Sequence, residues 1–259
     1  MRMMKKVLGT VTVLALSASL LAGCGSTAAS PVSSAASTAA ESTTSSVVSE
    51  TTSAAADENA AAAAQLLNDL TGSYQELWPV ILADEYQQTW LDDCTALVGE
   101  ENAEAAFEKL SSMVTGDVYG EDAVEAYANG GGAYFCGFTN DLATLTFDGE
   151  TSTISGTDKD GNVLFSHTYH YIVMEPVHEL YEFESDDADS GEFTYFFLAP
   201  DTSAETYHIE FRYGSDADAL SQYDAGDYAY WLASGISTDC DQTMIDNCIK
   251  LFCTENLAG

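Results

Sequence analysis

Residues 193–236 decide the fold, and they read FTYFFLAPDTSAETYHIEFRYGSDADALSQYDAGDYAYWLASGI. Two runs rich in aromatic and β-branched residues, 193–198 and 206–213, lie on either side of a turn that opens with Pro200 and Asp201. Strand-forming runs joined by a short turn favour an antiparallel hairpin. We therefore expect two adjacent strands here, followed by an acidic connecting segment and then a tyrosine-rich segment.

The second run has two distinct faces, because side chains alternate along a strand. One face carries Thr206, His208 and Glu210. The other face carries the apolar residues Tyr207, Ile209 and Phe211. The pattern predicts that the apolar face packs in a core and that His208 lies on the opposite side of the sheet.

Further strand-like runs precede this stretch. The dipeptides Asp148-Gly149 and Asp160-Gly161 are typical of tight hairpin turns. The runs that these and other polar turns separate are 134–138, 143–147, 151–155, 163–172 and 180–184. Successive short strands joined by tight turns predict an antiparallel barrel or sandwich.

Helical patterns flank the strands. Residues 60–70 are alanine-rich. After a break at residues 71–73, apolar residues recur at helical spacing, namely Tyr74, Leu77, Trp78, Ile81 and Leu82. More helix is expected as far as Gly116. After a predicted N-cap at residues 237–239, an amphipathic helix ends the chain, with the apolar stripe Met244, Ile245, Cys248, Ile249 and Phe252.

The first residues have the form of a lipoprotein signal peptide. Basic residues at positions 2, 5 and 6 precede an apolar stretch, 7–21, and residues 21–24 read LAGC. We predict a signal peptide over residues 1–23 and lipidation of Cys24. Residues 24–58 are mostly Ser, Ala and Thr and form a predicted disordered tether, and residues 59–259 form one domain. The predicted location is the outer face of the cell membrane, with the lipid as the only membrane contact.

The charge of the chain is strongly negative. It has 42 acidic and 7 basic residues, for a formal net charge of −35. Nucleic-acid binding needs a basic surface, so we expect no nucleic-acid partner. An acidic surface attracts cations, although it does not select among them.

Six cysteines are present, and Cys24 is assigned to lipidation. An odd number remains, so a monomer keeps at least one free thiol, and the connectivity of any disulfides is left open. Cys248 is expected to be a packed core thiol. The other remaining cysteines are Cys94, Cys136, Cys240 and Cys253.

Neither a nucleophile elbow, a phosphate-binding glycine loop nor an H-E-x-x-H motif is present, and we expect no enzymatic activity. Two acidic segments that suggest calcium, 158–161 and 216–227, lack regular ligand spacing and are predicted to be a hairpin turn and a solvated loop.

The four histidines all lie within the strand-rich half: His167, His170, His178 and His208. His167 and His170 are three residues apart, so on a strand they face opposite sides.

Residues 66–256 resemble the ZinT family of extracytoplasmic zinc-binding proteins, most clearly at residues 67–82 and 207–232. This resemblance implies a mainly β, lipocalin-like antiparallel barrel with flanking N-terminal helices and a C-terminal helix. It also implies zinc held by three histidines on the strands before and after the proline turn. Here only His208 matches, since the other two positions fall near Phe196 and at Thr206.

A replacement ligand set can be drawn from neighbouring residues. If residues 180–184 pair with 193–198, His178 is expected close to the position near Phe196, with Glu205 in the turn adding an oxygen. His170 has the same strand parity as His178. The predicted metal ligands are His208, His178, His170 and Glu205.

The resemblance therefore implies a surface-tethered lipoprotein that binds zinc and supplies or buffers it for uptake, with a zinc ABC importer as partner. The alternative is a metal-free barrel that binds a small apolar ligand, or a surface protein. That alternative comes from the aromatic residues around the vacated histidine positions. They are Tyr195, Phe197, Tyr207, Tyr228, Tyr230 and Trp231.

Overall fold

A computed structural model describes residues 58–128, 132–199 and 208–258. Its helices are α1 (58–69), α2 (Leu77–Ile81), α3 (Gln87–Val98), α4 (Ala103–Val114), α5 (Glu121–Ala128), α6 (Ala217–Leu220) and α7 (Gln242–Leu257). Its strands are β1 (Gly72–Glu76), β2 (Thr144–Asp148), β3 (Thr153–Thr157), β4 (Val163–Met174), β5 (Tyr181–Ser185), β6 (Tyr195–Leu198), β7 (His208–Gly214) and β8 (Ala233–Ser237). The predicted signal peptide, the lipidated Cys24 and the tether up to residue 57 lie outside the described residues.

The eight strands form a closed barrel in which each strand pairs with its sequence neighbour in antiparallel orientation, and β1 pairs with β8. Closure leaves no sheet edge exposed. The predicted hairpin of residues 180–184 with 193–198 is confirmed, because Tyr181 pairs with Leu198 and Glu184 pairs with Tyr195. The predicted antiparallel barrel with flanking helices is thus the observed fold.

The barrel interior is filled by aromatic side chains. Phe196 stacks against Tyr213 with ring centroids 5.4 Å apart, and Phe165 stacks against Phe193 at 4.0 Å. The predicted alternation of β7 is confirmed, since Ile209 and Phe211 are buried in this core. These aromatic rings account for much of the apolar area that the barrel removes from water.

The helices pack outside the barrel and at its end. Helix α1 places Ala63, Leu66 and Leu67 against the barrel core. Helices α2, α3, α4 and α7 form a second core around Trp90, which also contains Ile236 of β8. Among the described helices, none is both long and apolar enough to cross a bilayer.

Several local predictions were wrong. Residues 72–76 form strand β1, although a helical spacing was predicted to begin at Tyr74, and α2 begins only at Leu77. Strand β8 was not predicted. Residues 134–138, predicted as a strand, contribute only isolated β-bridges at Phe135. The N-cap of α7 is Asp241, not the predicted residues 237–239. Cys248 is buried in the helical core, as expected.

Tyr213 connects the barrel wall to the segment before β2, and we predict that its hydroxyl group contributes measurably to stability. The hydroxyl accepts a hydrogen bond from the Thr139 backbone N–H at 2.6 Å and donates one to the Thr139 carbonyl at 2.9 Å. Because Tyr213 is fully buried, Tyr213→Phe leaves both backbone groups unpaired. We expect a loss of about 1–3 kcal/mol in the free energy of unfolding, measured by urea denaturation. The control Tyr195→Phe removes a longer, partly exposed bond to Glu184, and an equal loss in both variants would contradict the prediction.

Candidate functional site

The candidate site lies on the outer face of β5, β6 and β7. Because Ile209, Phe211 and Tyr213 point into the barrel core, the alternating residues His208, Glu210 and Arg212 point outward. His208 is buried, at 9% exposure, and Arg212 is completely buried. The segment after β7, residues 215–230, covers this face.

Arg212 holds the covering segment in place. Its Nη1 atom donates to the carbonyls of Leu220 and Gln222, and its Nη2 atom donates to the carbonyl of Tyr228. The guanidinium carbon lies 4.1 Å from the ring centroid of Tyr223, a cation–π contact. A buried charge needs hydrogen-bond partners, and backbone carbonyls supply them at both Nη atoms, whereas the buried Nε atom has none among the described atoms.

The turn between β4 and β5 brings Glu175 and His178 to the edge of this face. The Glu175 carboxylate accepts hydrogen bonds from the backbone N–H groups of Val177 at 2.9 Å and His178 at 2.7 Å. Glu179 has a positive φ of 58°, which reverses the chain toward β5. The imidazole of His178 lies on the Tyr223 ring, with centroids 3.8 Å apart.

One nitrogen atom in this turn lacks a hydrogen bond. The Nδ1 atom of His178 is buried and makes no hydrogen bond with any described atom. It lies 3.3 Å from Oε2 of Glu175, close enough for an ionic contact. The pair is well shielded, since the side chains of His178 and Glu175 are 16% and 5% exposed. Among the described residues, Nε1 of Trp78 and Nε of Arg212 are also buried without a partner, but only the His178 nitrogen lies beside a carboxylate oxygen that it does not hydrogen-bond.

The surroundings of the Glu175–His178 pair are negatively charged. Burial raises the pKa of Glu182, and the negative charges of Glu184, Asp218 and Glu175 raise it further. Burial raises the pKa of Tyr223 as well, while the adjacent Arg212 opposes the rise. Carboxylates that raise one another's pKa gain stability when a cation enters between them.

The strand register places His178 and His208 at the same end of the barrel. Tyr181, Leu198 and Phe211 form one row across β5, β6 and β7. In this row β5 and β7 are separated by β6, so they lie two strand spacings apart, about 10 Å. His208 is the first residue of β7, three residues before Phe211, whereas His178 lies in the turn that precedes β5. The β4–β5 turn and the start of β7 are therefore at the same end of the barrel.

The same register corrects one expectation. Phe196 pairs with Phe183 and Tyr213, so His178 does not lie close to Phe196. The sequence predicted the hairpin of β5 and β6 correctly. It did not predict where the turn before β5 places His178.

The other two histidines lie farther along β4. His170 pairs through Nδ1 with Asp186 at 2.7 Å, and His167 pairs with Asp187 at 2.8 Å. The predicted opposite orientation of the two is confirmed, because the His167 side chain is 17% exposed and that of His170 is 51% exposed. His170 lies four residues from Met174, which pairs with Tyr181, or about 13 Å along the strand. His170 therefore lies farther from His178 along the barrel, whereas His178 and His208 lie at the same end of it, next to strands that are separated by β6.

Within residues 58–128, 132–199 and 208–258, no three His, Cys, Asp or Glu side chains are close enough together to hold a metal ion. Glu205, the fourth predicted ligand, lies outside the described residues. Sequence reasoning missed Glu175, although its position three residues before His178 and next to Pro176 is a signal of a tight turn.

The aromatic residues that suggested a ligand-binding barrel have structural roles where they are described. Phe197 and Trp231 are each 1% exposed, and Phe197 pairs with Arg212 on the outer face, beneath the segment that covers it. Tyr230 stacks on Tyr127 with centroids 3.7 Å apart. Tyr228 donates a hydrogen bond to Glu192, and Tyr195 donates one to Glu184. Tyr207 lies outside the described residues.

The described chain is an eight-stranded antiparallel barrel with flanking helices and a buried histidine–carboxylate pair at one end. It is similar to the Zn(II)-bound ZinT-like domain of Streptococcus pneumoniae AdcA, with 14% identity, 71% of this chain and 89% of that chain covered, and a TM-score of 0.45. It is also similar to Zn(II)-bound AdcA from Streptococcus pneumoniae, with 14% identity and a TM-score of 0.40, where 74% of this chain covers 35% of that one. No protein-family model and no curated protein sequence matches the chain significantly.

Proposed function

We propose that this protein binds one zinc ion as its cargo at the outer-face site formed around Glu175, His178 and His208. The observation that carries the proposal is the buried Nδ1 atom of His178, which has no hydrogen-bond partner and lies 3.3 Å from Oε2 of Glu175. Both atoms are of the types that zinc prefers. The surrounding carboxylates supply an electrostatic attraction for a cation.

The spacing of this pair fits two zinc ligands. Two nitrogen or oxygen atoms bound about 2.0–2.1 Å from one tetrahedral zinc lie roughly 3.3–3.4 Å apart. The Glu175 and His178 atoms are separated by that distance while lacking hydrogen-bond geometry. The same carboxylate is held by two backbone N–H groups, which orients it toward the imidazole.

The remaining ligands are proposed to come from the chain between β6 and β7. His208 is the first residue of β7 and lies at the same end of the barrel as His178. Glu205 precedes it by three residues and is retained as a proposed oxygen ligand. His170 is not included, because its imidazole pairs with Asp186 at a distant position on β4.

The biological role that fits such a site is the supply or buffering of zinc for uptake. We propose that the protein is held at the outer face of the cell membrane by a lipid on Cys24, without enzymatic activity of its own. A zinc ABC importer is the proposed partner. The acidic composition, with a net charge of −35, favours capture of cations near the membrane surface.

The pH and salt dependence of zinc binding tests whether imidazoles hold the metal. Imidazole must be neutral to bind zinc, and its ordinary pKa is about 6.5, whereas carboxylates remain charged down to about pH 4. We expect the affinity to fall about 20-fold for each histidine ligand between pH 7 and pH 5. Direct coordination is screened little by salt, so raising the salt concentration should change the affinity only slightly. Calorimetric titrations at two pH values and two salt concentrations measure both effects.

Two other outcomes separate this proposal from its alternatives. Strong salt sensitivity with a flat response between pH 7 and pH 5 would show diffuse attraction by the acidic surface instead of a histidine site. The absence of zinc binding at pH 7, together with an apolar molecule in protein purified without chelators, would favour the metal-free ligand-binding barrel.

A further inference from the structure

Two buried cysteines meet between helices α3 and α7. The sulfur atoms of Cys94 and Cys253 are 3.9 Å apart, and both residues are completely buried. They are separated by 159 positions in the sequence. The odd cysteine count left the pairing open, and tertiary contact now distinguishes one pair.

The two helices also contact each other at residues that precede the two cysteines. The ring centroids of Trp90 in α3 and Phe252 in α7 are 6.0 Å apart, and these residues lie four positions before Cys94 and one position before Cys253. Thr89 donates a hydrogen bond to Asp246 at 3.5 Å. Residues later in α3 contact residues later in α7, and the contacts span more than one turn of each helix. Packing of this kind limits how far the two cysteines can separate.

Helix geometry permits a covalent link at this position. Helices pack with axes about 8–10 Å apart, and the Cα atoms lie about 2.3 Å from each axis, so directly facing Cα atoms lie roughly 3.4–5.4 Å apart. Disulfide-bonded cysteines have Cα atoms about 4.4–6.8 Å apart. The remaining approach of the two sulfur atoms can be achieved by side-chain rotation.

We propose that Cys94 and Cys253 form a disulfide bond that joins α3 to α7, independently of zinc binding. The two thiols lose two protons and two electrons as the S–S bond forms. The electron acceptor is a disulfide oxidant, which is reduced to two thiols by exchange through a mixed disulfide. Cys136, Cys240 and Cys248 remain thiols. The proposed extracytoplasmic location supplies such oxidants, whereas the test below does not depend on it.

The time at which the bond forms follows from its burial. Burial raises the pKa of both the Cys94 and the Cys253 thiol, which reduces the thiolate that exchange requires. The bond therefore forms during folding, before the helices close around it. Once formed, it is protected from reductants in solution, because both sulfur atoms are covered.

The test is to refold the full chain in a mixture of reduced and oxidised glutathione, alkylate it in denaturant, and map its peptides by mass spectrometry. We expect one cross-linked peptide pair containing Cys94 and Cys253, and alkylation of Cys136, Cys240 and Cys248. The oxidised chain should melt about 5–15 °C above the chain refolded in reductant, because the cross-link restricts the unfolded chain. Cys253→Ser should remove the cross-link and this difference, while the control Cys240→Ser keeps both.

The result that overturns the proposal is complete alkylation of Cys94 and Cys253 after oxidative refolding, or a cross-link from either one to another cysteine. If Cys253→Ser does not fold, the peptide map of the unaltered chain decides the question by itself. Zinc titration of the oxidised and reduced chains shows whether the cross-link and the proposed zinc site succeed or fail separately.

Discussion

Replacing Arg212 with alanine is expected to lower the free energy of unfolding by about 3–5 kcal/mol. The guanidinium group donates to three backbone carbonyls in the segment that covers the outer face, at Leu220, Gln222 and Tyr228. Alanine leaves these carbonyls without their donor and removes the cation next to Tyr223. It also opens a cavity at a completely buried position. Urea denaturation of the two proteins measures the difference.

Two further variants identify the cause of that loss. Arg212→Lys keeps the charge, but one ammonium group cannot match the planar guanidinium geometry, so we expect an intermediate loss. Lys109→Ala removes an exposed cation from α4 and should change stability by less than about 0.5 kcal/mol. If Arg212→Ala costs less than about 1 kcal/mol, the covering segment is held by its apolar contacts and not by Arg212. Hydrogen exchange should also become faster across residues 215–230 in the alanine variant.

His178→Ala and His208→Ala are each expected to weaken zinc binding by at least about 100-fold, because each removes a proposed ligand. His178 supplies the buried Nδ1 atom beside Glu175. His208 is the first residue of β7, on its outer face. Isothermal titration at pH 7 measures the affinities, and circular dichroism checks that each variant keeps the barrel.

The matched control is His170→Ala. It removes an imidazole that is also paired with a carboxylate, but one that is half exposed and distant along β4. We expect its zinc affinity to stay within about threefold of the parent, because an exposed surface contact contributes little. The outcome that removes the site from consideration is parental affinity in both His178→Ala and His208→Ala. Equal losses in all three variants would instead indicate a general effect of histidine number.

Short-range patterns predicted the strands that form hairpins. Strands β2 to β7 lie within or close to the predicted runs, because each pairs with a neighbour in sequence through a short connection. Strand β1 was predicted as helix, since Tyr74, Leu77 and Ile81 follow a helical spacing. Only its pairing with β2 and β8, far away in the sequence, makes it a strand. Local propensity cannot reveal a pairing of that kind.

For the candidate site, the sequence by itself determined which residues share a face of β7. It separated His208 and Glu210 from the apolar residues Ile209 and Phe211, because strand alternation is a local property of the chain. Only the tertiary structure shows that Arg212 is buried. The segment that covers it, residues 215–230, follows β7 in the sequence and has to fold back over the strand. The tertiary structure also brought Glu175 to His178 and Cys94 to Cys253. These contacts depend on a left-handed turn at Glu179 and on helix packing across 159 positions, and neither leaves a periodic signal in the sequence.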